Sequence, residues 1–132
     1  MSPLNLVLPA ILLSYMCYAS MFTGCKSLVR APKLPANVLE DGCYYNMFSG
    51  CTSLEKAPLL PANTLAERCY RDMFYNCTSL KQITILAIDI NIGQCRNWLK
   101  GTSPYGTFQK NKNAVWENDE IVPSGWEIEL IE

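Results

Sequence analysis

The chain has 132 residues, one domain's length, is 49% hydrophobic and 17% charged, and has a formal net charge of -1; this composition excludes a disordered polar tail. Residues 1–101 carry a charge balance of +3 and residues 102–132 a balance of -4, so no basic stripe forms and nucleic acid is not an expected partner. Histidine is absent, which removes the commonest general base, the usual triad partner of Ser or Cys, and the commonest metal ligand.

The chain opens on an apolar stretch, LNLVLPAILLSYMCYAS. Only MSP precedes it, so it lacks the basic n-region of a signal peptide. Pro9 interrupts it, and it is too short for a membrane span, so no membrane insertion is expected. It reads better as part of a repeat. Cys17, Cys43, Cys69 and Cys95 recur every 26 residues, and Cys25, Cys51 and Cys77 follow the first three at +8. Full repeats therefore occupy 17–42, 43–68 and 69–94. Partial repeats fill 1–16, where LPAILLSYM aligns with LPANVLEDG, and 95–101. A single unit of this size cannot bury its own apolar face, so copies are expected to pack on one another.

Within a unit, Leu39, Cys43, Tyr44, Met47, Phe48 and Cys51 are spaced as one wide helical face, an arc of about 180°. Asn37 or Asn63 would start that helix, and Gly24 or Gly50 would end it. Leu28 to Leu34 is too short for a helix and contains Pro32, so a short strand is expected there. In the third repeat Thr84 and Ala87 stand where the others have proline, which predicts a change of shape toward the C-terminus. Beyond Gly101 two strands are expected, Thr107 to Lys110 and Trp126 to Ile131. In the second, Trp126, Ile128 and Leu130 alternate with Glu127 and Glu129, and Pro123-Ser124-Gly125 forms the turn before it. Residues 102–132 would be a capping segment, with Trp98, Trp116 and Trp126 plugging the end of the stack.

The pattern MF-x-G-C-x-S-L-x-x-A-P-x-L-P-A, as in Met47 to Ala62, resembles the BspA-like leucine-rich repeats of bacterial surface proteins. GTFQKN followed by VPSGW resembles the segment closing such arrays in proteins of gut bacteria and their phages. The resemblance covers nearly the whole chain. It implies an α/β solenoid, a leucine-rich-repeat-like right-handed stack of 26-residue strand–helix units with a small β cap at its C-terminal end. It also implies a cell-surface or secreted setting and a role in cell adhesion or protein binding. The motif is specific for fold and poor for function.

Seven cysteines with this spacing lack the CxxC pairing of zinc sites. Cys43 and Cys51 on one helix would lie ~12 Å apart, and neighbouring helices 8–10 Å apart, both beyond the roughly 7 Å that a disulfide spans. They read as small buried hydrophobes, which leaves open an irregular pair such as Cys77 with Cys95. No catalytic, cofactor-binding or metal-ligating set emerges, and no enzyme is expected. The expected role is recognition of a protein or glycan through variable positions, with Tyr45, Arg71 and Tyr75 on the helix and Arg30 and Lys56 on the strand side. The alternative is a purely structural spacer or cap of a longer surface or phage tail protein. Leu6, Val7, Leu8, Ile11, Leu12 and Leu13 leave the front end uncapped, so self-association through it is a further expectation.

Overall fold

The computed structural model of the chain describes residues 13–114 and 120–132. Leu6 to Leu12 and Trp116, on which part of the reading above falls, lie outside the described residues. The expected strand–helix solenoid is not what forms. The described residues contain a single helical turn, α1 (Ile92–Cys95), and three strands, β1 (Gln82–Ile85), β2 (Gly106–Asn111) and β3 (Trp126–Ile131). The strands pair in parallel in the order β1-β2-β3.

The segment read as a helix, Leu39 to Cys51, is a run of tight turns. Its backbone has positive φ at every fourth residue: Gly42, Asn46 and Gly50. The same positions recur as Ser20 and Gly24 one unit earlier and as Arg68, Asp72 and Asn76 one unit later. An α-helix admits no such residue. The hydrogen bonds alternate accordingly. The N–H groups of Cys43, Tyr45, Met47, Ser49 and Cys51 donate three residues back within the turn. Those of Gly42, Tyr44, Asn46, Phe48 and Gly50 donate to carbonyls of the next unit, on Glu67, Cys69, Arg71, Met73 and Tyr75. A helix would have kept every bond to itself; here half of them join neighbouring units.

The side chains follow the backbone. Tyr18, Tyr44 and Tyr70 stack with ring centroids 6.1 and 6.2 Å apart. Phe22, Phe48 and Phe74 do the same at 5.5 and 5.6 Å. Leu54, Leu60, Leu80, Ile83, Met47 and Met73 fill the core between these columns. Met21, expected in the same ladder, is exposed. The tyrosines do not keep a wet hydroxyl throughout: Tyr70 is fully buried and its hydroxyl has no hydrogen-bond partner.

The strand expected in each unit forms as a continuous ladder only in the third. No backbone bond joins 29–35 to 55–61 among the described residues, where Pro32 and Pro35 face a unit carrying Pro58 and Pro61. Prolines supply no N–H. Between the second and third units the N–H groups of Ala57 and Leu60 reach the carbonyls of Gln82 and Thr84, making isolated bridges. In the third unit, free of proline, β1 is a true strand.

The two strands expected in the tail are present as β2 and β3. Phe108 is buried against Trp98, edge to face at 5.9 Å. Trp98 in turn stacks on Tyr70 at 5.8 Å and donates its indole N–H to the Ile121 carbonyl at 2.8 Å. Trp126 donates its indole N–H to the Ser103 carbonyl at 2.9 Å. The apolar side of β3 is less closed than its alternation suggested: Trp126 is buried, but Ile128 is 40% and Leu130 60% exposed.

Candidate functional site

All seven cysteines are free, including Cys77 and Cys95. Cys17 and Cys25 are exposed, and the other five are buried, so the reading as buried hydrophobes fits five positions and not the first two. The +8 cysteines have a structural task. The Cys51 thiol donates to the Phe22 carbonyl at 3.2 Å, and the Cys77 thiol to the Phe48 carbonyl at 3.0 Å. Each thus bonds to the preceding unit. Burial pushes Cys43, Cys77 and Cys95 up to about 12 and Cys51 up to about 11, and holds Cys69 well above the ordinary thiol value. Each is therefore a neutral thiol near neutrality, a poor nucleophile and a poor metal ligand. Among the described residues no group of three His, Cys, Asp or Glu side chains is placed to hold a metal ion.

The variable positions come together elsewhere. The N–H of Ser20 donates to the Tyr45 carbonyl at 2.8 Å, and that of Asn46 to the Arg71 carbonyl at 2.9 Å. Tyr45 and Arg71 are thus held on successive units. One turn earlier, Met16 donates its N–H to the Asp41 carbonyl at 3.1 Å, and Gly42 to the Glu67 carbonyl at 2.9 Å. Together these contacts frame an open cavity of about 200 Å³ lined by Tyr15, Met16, Asp41, Gly42, Tyr45, Arg68 and Arg71. Gly42 is required at its base, because its φ is 63° and a Cβ there would meet the Met16 sulfur. Two tyrosines, two guanidiniums and one carboxylate surround the space.

The charges in this cavity are not used up internally. Among the described residues neither Arg68 nor Asp41 forms an ion pair. Arg71 has only a distant one, Nε to the Asp72 carboxylate at 4.0 Å, and that Nε is buried without a hydrogen bond. The Arg71 side chain is otherwise partly exposed, so its terminal guanidinium nitrogens can bind a carboxylate, a phosphate or a carbonyl brought by a ligand.

No family model matches the chain, and neither the curated proteins nor the solved structures give a match. The site therefore rests on its own geometry. Of the residues singled out from sequence, Tyr45 and Arg71 line the cavity; Tyr75, Arg30 and Lys56 do not. Tyr75 is half-buried, and its carbonyl accepts from Gly50. Arg30 and Lys56 are exposed, and the Lys56 backbone bridges Gln82. Sequence reasoning missed Tyr15, Asp41 and Arg68. The signal was in the same 26-residue period, which sets Tyr15 beside Asp41 and Arg68 beside Gly42.

Two other concavities lie apart from this one. A groove of about 440 Å³ runs over Ala31, Pro32, Lys33, Leu34, Pro35, Pro58, Leu59 and Pro61. A larger hollow of about 560 Å³ lies between 97–104 and 120–125, with Lys100 and Glu120 among its lining residues. Neither gathers charged and aromatic side chains as the first does. No helix among the described residues is long and apolar enough to cross a membrane.

Proposed function

We propose that this chain is a non-catalytic recognition module that binds a protein or glycan at the cavity formed by Tyr15, Asp41, Tyr45, Arg68 and Arg71. The observation that carries this reading is the convergence of side chains from four successive units, 1–16, 17–42, 43–68 and 69–94, on one open space, with the Arg71 side chain partly exposed there. Tyrosine offers a large contact area at low entropic cost, with a polar tip, and arginine a planar fork of donors; both are over-represented at sites that dominate binding energy. At about 200 Å³ the space falls below the ~300–1,000 Å³ of drug-sized ligand sites, so it suits one sugar ring or one side chain of a larger partner. The motif resemblance to bacterial surface repeats supports a cell-surface setting. The five buried, neutral thiols and the lack of histidine speak against thiol nucleophilic chemistry at those five positions.

An array of glycans and bacterial or host surface proteins tests this. The expected result is reproducible binding that falls at least tenfold in Tyr45→Ala and in Arg71→Ala and is unchanged in Lys56→Ala. Binding that survives both cavity substitutions would remove the cavity from the proposal. An array with no ligand at all would favour the spacer reading.

A further inference from the structure

The parallel sheet grows one strand at a time. β1 is bridged on one side to Lys56 and Leu60 and pairs on the other with β2, and β2 pairs with β3. The outer edge of β3 pairs with no strand among the described residues. An open edge displays unpaired N–H and C=O groups, and proteins usually blunt it with proline, lysine or a bulge. Trp126–Ile131 contains neither proline nor lysine, and its register with β2 runs unbroken over six residues.

Two rows of side chains cross the sheet and end at this edge. The apolar row runs Ile83, Phe108, Ile128 in register; its first two members are buried and its last is half-exposed. The polar row runs from the Thr84 hydroxyl, which donates to Gln109 Oε1, through Gln109 Nε2, which donates to Glu129 Oε1 at 2.9 Å. That row stops on a carboxylate, a group that only accepts. Glu127, on the same face, has no hydrogen bond or ion pair among the described residues. The next strand in line must therefore supply donors, preferably cationic, opposite Glu127 and Glu129, and apolar side chains opposite Ile128 and Leu130.

We infer that the β3 edge takes up an extended segment of a partner protein in which apolar residues alternate with Lys or Arg. Main-chain bonds along the edge supply affinity, and the two rows set the face and the charge, as in strand addition generally. A second copy of this chain fits the edge poorly. Two β3 strands pairing about a two-fold axis would crowd the Glu127 and Glu129 carboxylates of both copies on one face, and like charges opposite one another destabilise a ladder.

The test uses the full chain and four fluorescent hexapeptides: alternating Ile and Lys, alternating Ile and Glu, and the Ile–Lys peptide N-methylated on one or the other set of alternate amides. Fluorescence anisotropy should show saturable binding of the first, none of the second, and at least tenfold weaker binding of the methylated form with the edge-facing amides blocked. Glu129→Lys, a change on an exposed edge, should shift preference toward the Ile–Glu peptide. Equal binding of both methylated forms (either alternate set blocked) and the parent would reduce the effect to charge attraction and overturn the inference. So would a concentration-dependent dimer, seen by sedimentation, that Leu130→Lys abolishes, since a second copy would then occupy the edge.

Discussion

At Asp72 the backbone sits at φ 53°, and at Asn46 and Asn76 at 59° and 58°. Aspartate and asparagine tolerate this region better than other side chains, and β-branched residues tolerate it least. Asp72→Gly should leave the urea midpoint nearly unchanged, whereas Asp72→Val should cost roughly 1–2 kcal/mol. Equal effects of the two would mean that the turn relaxes. These residues also explain why the helix reading failed. Apolar positions spaced 4, 1, 3, 1 and 3 match a helix because the drift of a strict period of four from 3.6, about 120° over twelve residues, only widens the apolar face to an arc that a broad helical face still covers. The distinguishing signal was the Gly, Asn or Asp at every fourth place, Gly42-Asn46-Gly50 above all. A close approach of a different kind fixes Gly106. A Cβ there would stand 2.8 Å from the Trp126 ring and 2.9 Å from the Lys81 carbonyl carbon. Gly106→Ala should destabilise by about 1–3 kcal/mol, the usual range for overpacking, read from the same urea curve.

The strands were more legible than the turns. β2 and β3 announced themselves by β-favouring residues after turn-forming ones, and the missing prolines at Thr84 and Ala87 marked the unit where a ladder forms. What sequence could not show was how far the core reaches beneath β3. The alternation of Trp126, Ile128 and Leu130 is real in register, yet only Trp126 finds neighbours enough to be buried. Two of the five candidate side chains were visible for the same reason. Tyr45 and Arg71 occupy equivalent places in successive units, while Tyr15 and Asp41 belong to the preceding turn and required knowing that the turns are four residues long. Trp98 ties the turns to the tail, through Tyr70, Phe108 and the Ile121 carbonyl. Trp98→Phe keeps most of the ring contact but strands that carbonyl, so it should cost about 1–3 kcal/mol. Trp98→Ala should cost more, roughly 3–5 kcal/mol. Similar losses in the two variants would show that the indole N–H contributes little.

For the molecule as a whole, the buried thiols make stability depend on alkaline pH. In the unfolded chain a thiol releases its proton near 9.0, whereas in the folded chain burial delays this to about 12 for Cys43, Cys77 and Cys95 and about 11 for Cys51. Above pH 9 the unfolded state therefore holds fewer protons than the folded one, and stability falls with rising pH. The stabilisation is full below 9 and fades progressively toward 12. Denaturation curves at pH 8 and pH 10 should show a lower midpoint at the higher pH, and replacing Cys43 by Ala should shrink the difference. Native alkylation at neutral pH should modify Cys17 and Cys25 first, with the other five reacting only on unfolding.

The columns of rings, Tyr18 over Tyr44 over Tyr70 and Phe22 over Phe48 over Phe74, have a consequence for how such a chain can change length. Any cut that keeps like residues face to face is cheap, and any other is ruinous. Excising 43–68 would bring Tyr70 beneath Tyr18 and Phe74 beneath Phe22, leaving both ring columns matched, while Pro32 and Pro35 would meet Thr84 and Ala87 in place of Pro58 and Pro61. Removing one residue more or fewer would set a tyrosine against a cysteine or an arginine and misalign the carbonyls that receive its neighbours' amides. Length in this molecule is therefore counted in whole units of 26, like a stair that can lose a step but not half of one.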